Sequence, residues 1–316
     1  MTTALAIDLG GTKVEAALVE DDGTIVEASR TRRPTGREAS SEQLAGAVEE
    51  AVHGALAALP DDADLAGVGI GAAGPVDLPR GAVMPYNLVP WHAGYPLRDL
   101  VAGLVPDVPV TLRIDGLCIT LAEHWVGAAA GVDDVMGMIV STGVGGGLIL
   151  GGRTVPGPTG NAGHIGHIEV GGFDDPCACG GRGCLEAVAS GPNTVRWARS
   201  EGFAGETGED LAAAYAAGDD VAIAAVRRAG TAIGRAIASA AALVDLDVVA
   251  IGGGFSHVTP DLFDLIREPI AERVNSAYVR RVRVVPSGLS GDGPLIGAAA
   301  LIHRADLVAG ADPVTG

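Results

Sequence analysis

Three cysteines and one histidine lie close together in the chain at a spacing that suits a metal ion. Cys177, Cys179 and Cys184 fall within one glycine-rich stretch, and His167 precedes them. The glycines permit tight turns, so three thiolates and one imidazole can surround a single ion. This is the Cys₃His ligand set of a closed structural Zn²⁺ site, and soft thiolates argue against Mg²⁺ or Ca²⁺. The alternative, a set of free buried thiols, is disfavoured by the spacing. Cys118 stands apart and is expected in the core.

Glycine-rich turns that directly follow apolar strands indicate a second kind of chemistry. The first turn, DLGGTK, places Gly10 and Gly11 where a side chain would block the close approach of a phosphate. Thr12 adds a hydroxyl and Lys13 a positive charge. Asp8 ends the strand, where its carboxylate can hold Mg²⁺ through water, as is usual for a hard cation bound to phosphate.

Two further turns, STGVGGG at 141–147 and IGGG at 251–254, have similar features. The positions able to contact a nucleotide are Thr142, Gly143, Gly145, Gly253 and Gly254. A single glycine turn is usually only a turn, but three of them after apolar strands favour a phosphate site, with the last lying under a base or ribose. Neither GxxxxGK[ST] nor GxGxxG follows the first strand, which excludes the P-loop and Rossmann patterns.

Asp115 ends the apolar stretch VPVTLRID and stands just before a helical segment. Phosphoryl transfer to a hydroxyl needs a carboxylate within hydrogen-bond reach of that hydroxyl, to orient it and accept its proton. From its spacing alone, Asp115 is equally well explained as the N-cap of the following helix.

Composition limits the partners of this chain of 316 residues. The formal net charge is −18, and no basic run extends beyond RTRR at 30–33, so nucleic acid and anionic membranes are not expected partners. The chain begins almost at once with a strand and has no long apolar segment, which argues against secretion and a membrane span. Crowded, reduced cysteines agree with this, and the sequence predicts a cytoplasmic protein.

The pattern of elements predicts an α/β fold in two halves. Predicted strands lie at 4–8, 14–20, 25–33, 66–77 (running into a Gly/Pro loop), 108–115, 135–150 (two strands), 247–254 (running into a glycine turn) and 282–289. Predicted helices lie at 40–59, 117–131, 208–216, 219–243 and 294–305. The segments AIDLGGTKVEAALV and MIVSTGVGGGLIL resemble each other as internal repeats. Two lobes with a boundary near 113–116 are therefore favoured over one continuous doubly wound domain.

Five motifs in order, DLGGTK, GAAGPVD, STGVGGG, GHIEV…CACGGRGCLE and IGGG, resemble those of the ROK family of sugar kinases and repressors. The resemblance covers nearly the whole chain. It implies a two-lobed, actin-like α/β fold of the hexokinase and ribonuclease H type with a zinc-binding loop. It also implies ATP with Mg²⁺ on the glycine turns, a sugar at the hinge and a homodimer.

The resemblance also implies the lobe boundaries and the roles of particular residues. The small lobe would span 1–114 and be joined by a C-terminal helix at 298–316, and the large lobe would span 115–297 with the zinc segment at 163–186. Asp115 matches the catalytic aspartate of the family. His167 and Glu186 match sugar contacts, so zinc would shape the sugar pocket. Further candidates for sugar contact are Gly74 and Asn87, for which a structural role in turns is nearly as well supported.

Two positions depart from the family pattern. Where the kinases usually carry Asn-Asp at the hinge and Glu three residues before the zinc histidine, this chain has Ile114 and His164. In glucose-type members these side chains lie near the 3-position of the sugar. Ile cannot replace an amide's hydrogen bonds, and an unpaired buried hydroxyl costs about 1–3 kcal/mol. A hexose altered at carbon 3, such as kanosamine, fits both changes. A C7-cyclitol and ordinary glucose are the alternatives.

Three classes of function are compatible with the resemblance. The favoured class is an ATP-dependent kinase that phosphorylates a primary hydroxyl of a hexose-like ring. A sugar-sensing repressor of the family would carry a helix-turn-helix domain ahead of the first motif, whereas here that motif begins at Asp8. A sugar-binding relic is disfavoured because Asp115 and all three glycine turns are intact.

Overall fold

The computed structural model describes residues 2–36, 38–60, 63–289 and 291–308. The strands are β1 Thr3–Leu9, β2 Lys13–Glu20, β3 Thr31–Pro34, β4 Leu65–Ala72, β5 Val76–Asp77, β6 Ala82–Val83, β7 Val110–Ile114, β8 Val135–Val140, β9 Val144–Leu150, β10 Arg153–Thr154, β11 Val248–Gly252 and β12 Arg283–Pro286. The helices are α1 Ser41–Leu56, α2 Leu97–Leu104, α3 Asp115–Trp125, α4 Leu185–Ala189, α5 Gly191–Ser200, α6 Gly208–Ala216, α7 Asp220–Val244, α8 Leu262–Ala271, α9 Ala277–Arg280 and α10 Gly293–His303.

Two five-stranded sheets with the same internal plan form the framework. The strand order is β3-β2-β1-β4-β7 in the first sheet and β10-β9-β8-β11-β12 in the second. In each sheet an antiparallel hairpin, β1–β2 or β8–β9, is followed by two parallel strands. The two predicted glycine-turn hairpins are confirmed, and the similar segments of the sequence occupy equivalent strands.

Helices cover the sheets on both faces. α1 and α2 pack on one face of the first sheet, and α10 packs on the other, mainly through Leu295, Ala298 and Ala299. α7 and α8 cover the second sheet with a core of Ala, Val, Leu and Ile. α3 and α10 approach closely at Gly297, where an added Cβ would lie 1.9 Å from the carbonyl oxygen of Cys118. This contact fixes α3, whose first residue is Asp115.

Some predicted elements differ from those observed. The stretch 25–33 is not one strand: Ile25 makes an isolated bridge to Val19, residues Glu27–Ser29 form a 3₁₀ helix, and β3 begins at Thr31. The hydroxyl of Ser29 donates to the carbonyl of Val26 and accepts from the N–H of Leu18, and these bonds hold the turn. The C-terminal helix ends at His303, and residues 309–316 of the expected helix 298–316 lie outside the described residues.

Among the described residues, no helix combines the length and apolar character needed to cross a membrane.

Candidate active site

The first glycine turn is a tight loop between β1 and β2. The N–H of Gly10 donates to the carbonyl of Lys13 at 2.9 Å, and the hydroxyl of Thr35 donates to the carbonyl of Gly10 at 3.0 Å. The side chain of Thr12 is exposed at the tip. A Cβ on Gly11 would lie 1.9 Å from the side-chain nitrogen of Asn87, so a larger residue at this position would displace the amide. The expected candidates Gly11 and Asn87 are therefore neighbours.

The second glycine turn joins β8 to β9 and is tied to the segment that follows the cysteines. The N–H of Val144 donates to Oε2 of Glu186 at 2.9 Å. A Cβ on Gly143 would lie 2.6 Å from that oxygen, so the carboxylate packs against the backbone of Gly143 in the space that a side chain would occupy. Thr142 is exposed at the tip of the turn. The turn therefore keeps a free hydroxyl while its backbone orients Glu186.

The third glycine turn follows β11 and meets the second turn. Gly253 has φ +95°, and a Cβ on it would lie 2.5 Å from the carbonyl of Val140 at the end of β8. A Cβ on Gly254 would lie 3.7 Å from the hydroxyl of Ser141. The structure therefore brings the second and third turns together at one edge of the second sheet.

Asp115 lies where the turns converge, at the start of α3. Its Oδ1 accepts a hydrogen bond of 2.7 Å from the N–H of Gly116, and a Cβ on Gly145 would lie 3.8 Å from the same oxygen. Burial, together with the charge of Glu186, raises the pKa of Asp115 to about 6, against one opposing hydrogen bond from Gly116. The carboxylate is half-buried and ionised at neutral pH, so it can accept a proton.

Asp8 is the second acidic group of this region. Burial raises the pKa of Asp8 to about 7, and the neighbouring Asp115 carboxylate adds to the effect, while Lys13 opposes it. Asp115 raises the pKa of Asp8, so a bound cation would stabilise the ionised form of this buried pair, and oxygen ligands suit Mg²⁺. Asp8 thus has the environment expected for the residue next to a metal–nucleotide complex.

Glu15 is a part of the site that the sequence analysis missed. It is 3% exposed on β2, opposite Asp8 in the β1–β2 register, and forms ion pairs with Lys13, Arg30 and Arg32. Burial alone would raise its pKa, but hydrogen bonds from the three cations hold it at about 2. Glu15 therefore stays ionised and holds the Lys13 ammonium close to the first turn. A Glu two residues after the motif lysine was the available sequence signal.

The four predicted metal ligands form one compact cluster. The ligand atoms of His167, Cys177, Cys179 and Cys184 all lie within 4.8 Å of one another. Nδ1 of His167 is 3.6 Å from Sγ of Cys177, and Sγ of Cys179 is 3.7 Å from Sγ of Cys184. Tetrahedral Zn²⁺ with ordinary bond lengths requires about 3.6 Å and about 3.8 Å for these two separations. The donor set and its spacing fit a closed zinc site.

The two residues that depart from the family pattern both approach Gly74. A Cβ on Gly74 would lie 2.5 Å from Cδ1 of Ile114 and 3.4 Å from Cε1 of His164. Ile114 is only 1% exposed, so its side chain packs in the protein interior. The ring of His164 lies 4.6 Å from that of His167. Burial and the neighbouring His167 lower the pKa of His164 to about 4, so its imidazole is neutral at pH 7.

Two residues near the site have structural roles. Glu123 is buried in α3, where its carboxylate accepts from the N–H groups of Ala128 and Gly288 and from the hydroxyl of Ser287. The Cys118 thiol is fully buried, and burial raises its pKa far above the usual value, which makes it inert. The expectation that Cys118 belongs to the core is confirmed.

Comparisons with known proteins show the family to which the chain is similar. The family model described as "ROK family" matches residues 4–305. The chain is 32% identical to the glucokinase of Thermotoga maritima over 316 residues, 95% of this chain and 97% of that protein. It is 36% identical to the N-acetylmannosamine kinase of Escherichia fergusonii over 254 residues, 79% of this chain and 82% of that protein.

Among solved structures, the ROK family glucokinase of Streptomyces griseus, in complex with glucose and AMPPNP, superposes with a TM-score of 0.80 at 32% identity. The match covers 96% of this chain and 99% of that chain. The expected fold class is confirmed by this similarity. The protein described here belongs to the ROK family.

Proposed function

We propose that the protein is an ATP-dependent sugar kinase that transfers the γ-phosphoryl group to the primary 6-hydroxyl of a hexose. The observation that carries the proposal is the position of Asp115: its ionisable carboxylate lies beside Gly145 of the second glycine turn and near Glu186. A base at the meeting point of a phosphate site and a polar pocket suits phosphoryl transfer to a hydroxyl. Relatives that act on glucose and on N-acetylmannosamine support a sugar as the acceptor.

The reaction follows from the placement of these groups. Asp115 accepts the proton of the sugar hydroxyl while the hydroxyl oxygen forms a bond to the γ-phosphorus. The bond between that phosphorus and the oxygen bridging to the β-phosphate breaks, and ADP leaves with the electron pair. Backbone N–H groups of the glycine turns and the Lys13 ammonium stabilise the charge on the phosphates. The first two turns supply hydroxyls from Thr12 and Thr142.

Mg²⁺ is the cation that we assign to the nucleotide. Asp8 would hold it through water, because burial raises the pKa of the Asp8 and Asp115 carboxylates above the ordinary range and a bound cation would stabilise their ionised forms. When bound, the ion neutralises charge on the β- and γ-phosphates.

Zn²⁺ is the ion that we assign to the Cys₃His cluster, because the donor types and separations suit tetrahedral coordination. With these four ligands a bound ion would have no open position and would supply structure only. His167 gives Nδ1 to the cluster, which directs Nε2 elsewhere and makes it available to a sugar hydroxyl. Glu186 follows the last cysteine by two residues and forms the neighbouring wall.

The substrate that we propose is a hexose altered at carbon 3, such as the 3-amino sugar kanosamine. Ile114 and His164 replace two polar residues of the family, and both lie against Gly74. A neutral imidazole offers a nitrogen that accepts a hydrogen bond from an uncharged amine, whereas Ile114 offers neither donor nor acceptor. The second candidate is glucose itself, favoured by the glucokinase relatives, and a C7-cyclitol is a third.

A panel of acceptors tests the proposal: glucose, mannose, N-acetylmannosamine, kanosamine and a cyclitol, each with ATP or polyphosphate, with product formation as the readout. The proposal expects phosphorylation at the 6-hydroxyl with the highest kcat/KM for a carbon-3-altered hexose. Glucose as the best acceptor by a wide margin would contradict the altered specificity. No phosphorylation of any acceptor would contradict the kinase and favour a sugar-sensing regulator or a binding relic.

Two organisational features are part of the proposal. We propose one lobe of 1–114 joined by the C-terminal helix 298–316, and a second lobe of 115–297 with the zinc segment. The packing of α10 on β1 supports this division, and the proposed hinge is the β7–α3 junction. The homodimer is proposed from the family resemblance, and light scattering coupled to size exclusion measures it directly.

A further inference from the structure

The loop at 84–92 follows β6, contains a 3₁₀ helix at Val89–Trp91 and is anchored by buried side chains and hydrogen bonds. Leu88 and Trp91 are buried in the first-sheet core, and the indole N–H of Trp91 donates to the hydroxyl of Ser41 at 2.9 Å. Nε2 of His92 lies 2.9 Å from the carbonyl oxygen of Tyr86. These anchors fix the backbone that carries Tyr86 and Asn87.

Tyr86 reaches from this loop to the metal-cluster histidine. Its ring centroid lies 5.5 Å from that of His167, with the rings at 88° to each other. This is the edge-to-face geometry that aromatic pairs prefer. The ring of His164 contacts His167 as well, at 4.6 Å and 62°. The His167 imidazole is therefore held by two rings and by its Nδ1 contact with Cys177.

The neighbouring residue of the loop contacts the phosphate side of the site. The Asn87 amide nitrogen lies against Gly11, as described above. The Asn87 Oδ1 atom is buried and has no hydrogen-bond partner within the described ranges. A buried amide oxygen without a partner indicates a place for a donor from a ligand, such as a sugar hydroxyl. One loop therefore touches both the first glycine turn and the side of the site that carries the cysteines.

The position of the Tyr86 ring is not explained by packing in a core. The residue is 39% exposed. A large aromatic ring that is partly exposed and contacts an imidazole edge-to-face is better explained by a role in the site than by a role in stabilising the fold.

We propose that Tyr86 is a positioning residue that fixes the His167 imidazole for sugar binding and closes the sugar pocket from the 84–92 loop. The inference rests on the proposed function, because it assigns the sugar to the pocket beside His167. The proposed role depends on the aromatic ring of Tyr86 and not on its hydroxyl. Phenylalanine at this position is therefore expected to retain the role.

The test compares Tyr86→Ala with Tyr86→Phe, and with Tyr278→Ala as a matched control. Tyr278 is 45% exposed on α9, so its loss removes a comparable surface ring from another part of the chain. Three quantities are measured: the Kd for kanosamine and for glucose without nucleotide, by calorimetry; the KM for ATP; and zinc per chain. Loss of one aromatic contact predicts a Kd raised about tenfold in Tyr86→Ala, with the KM for ATP and the zinc content unchanged. Tyr86→Phe and Tyr278→Ala are expected to stay within about twofold of the parent protein.

Unchanged sugar affinity in Tyr86→Ala would overturn the proposal, as would a loss of zinc or of ATP affinity that parallels the loss of sugar affinity. Failure of the parent protein to bind or phosphorylate any sugar contradicts the proposed function instead. In that case the rate at which a chelator removes zinc tests whether Tyr86 positions His167. Faster zinc release in Tyr86→Ala than in Tyr86→Phe supports this role, and equal rates overturn it.

Discussion

Glu186, two residues after the last cysteine of the cluster, accepts a 2.9 Å hydrogen bond from the backbone N–H of Val144 in the second glycine turn. The same carboxylate contributes to the raised pKa of Asp115. The cysteine-rich segment, the second glycine turn and Asp115, the proposed base, are thus connected through one side chain.

Glu186→Gln is predicted to shift the acid limb of the pH–rate profile. Ionised Glu186 raises the pKa of Asp115, so its neutralisation lowers the pH at which Asp115 becomes a base. In the parent protein kcat is expected to fall about tenfold per pH unit below about 6. The limb moves to lower pH in the variant, and the KM for the sugar rises because a pocket carboxylate is lost. Initial rates from pH 4.5 to 8 at several sugar concentrations measure both effects. An acid limb at the same pH in both proteins would contradict the electrostatic effect of Glu186 on Asp115.

Removal of zinc is predicted to weaken sugar binding and to lower the melting temperature together. Cys177→Ser replaces a thiolate of the cluster, whereas Cys118→Ala removes a cysteine that lies outside it. Zinc per chain, sugar Kd and Tm should all change in Cys177→Ser, while zinc per chain should stay the same in Cys118→Ala. A zinc-free protein with the parent's sugar affinity would show that the cluster does not shape the pocket.

The exchange Ile114→Asn with His164→Glu is predicted to move acceptor preference toward glucose. Each side chain restores a hydrogen-bonding group of the family, worth about 1–3 kcal/mol when buried. Both residues approach Gly74, so the two changes should be non-additive in a double-mutant cycle. The ratio of kcat/KM for glucose to that for kanosamine measures the shift. A ratio that stays constant in the double variant would mean that these positions do not select the sugar.

Asp8→Asn is predicted to stabilise the protein without nucleotide at neutral pH and to weaken its ATP affinity. The folded-state pKa of Asp8 is about 7 against an ordinary value of 3.8, so the native state retains a proton that the unfolded chain releases. Stability from this group is therefore present below about pH 4 and is lost as the pH rises to about 7. Thermal melts between pH 4 and 8 should show a smaller decline in the variant. Exposed Asp64→Asn is the control, and equal slopes in both variants would contradict the prediction.

Much of the fold follows from local sequence patterns. Apolar strands that end in glycine turns predicted both hairpins, and the cysteine spacing predicted the cluster that His167 completes. The helices α2, α5 and α8 were missed, because their apolar positions are mixed with Gly, Pro and charged residues. The strand expected at 25–33 is replaced by a 3₁₀ turn held by the Ser29 side chain.

The arrangement of the candidate site depends on contacts between distant parts of the chain. Gly74, Ile114 and His164 are neighbours only because β4 and β7 are adjacent strands and the 163–168 segment folds over their ends. The ion pairs of Glu15 likewise require β3 to lie beside β2. Spacing along the sequence identifies such residue types, but the register of the sheet decides which of them meet.

The central claim, that Asp115 is the base of a sugar kinase, is tested most directly by ADP formation in Asp115→Asn compared with the parent protein. The asparagine keeps the size of the side chain and an oxygen that can accept from the N–H of Gly116, so the variant should fold, bind zinc and bind sugar. Loss of the base predicts that kcat falls by about 10²-fold or more, with the sugar Kd within a few-fold of the parent. A variant that folds and retains more than a few percent of the parent kcat would contradict the account.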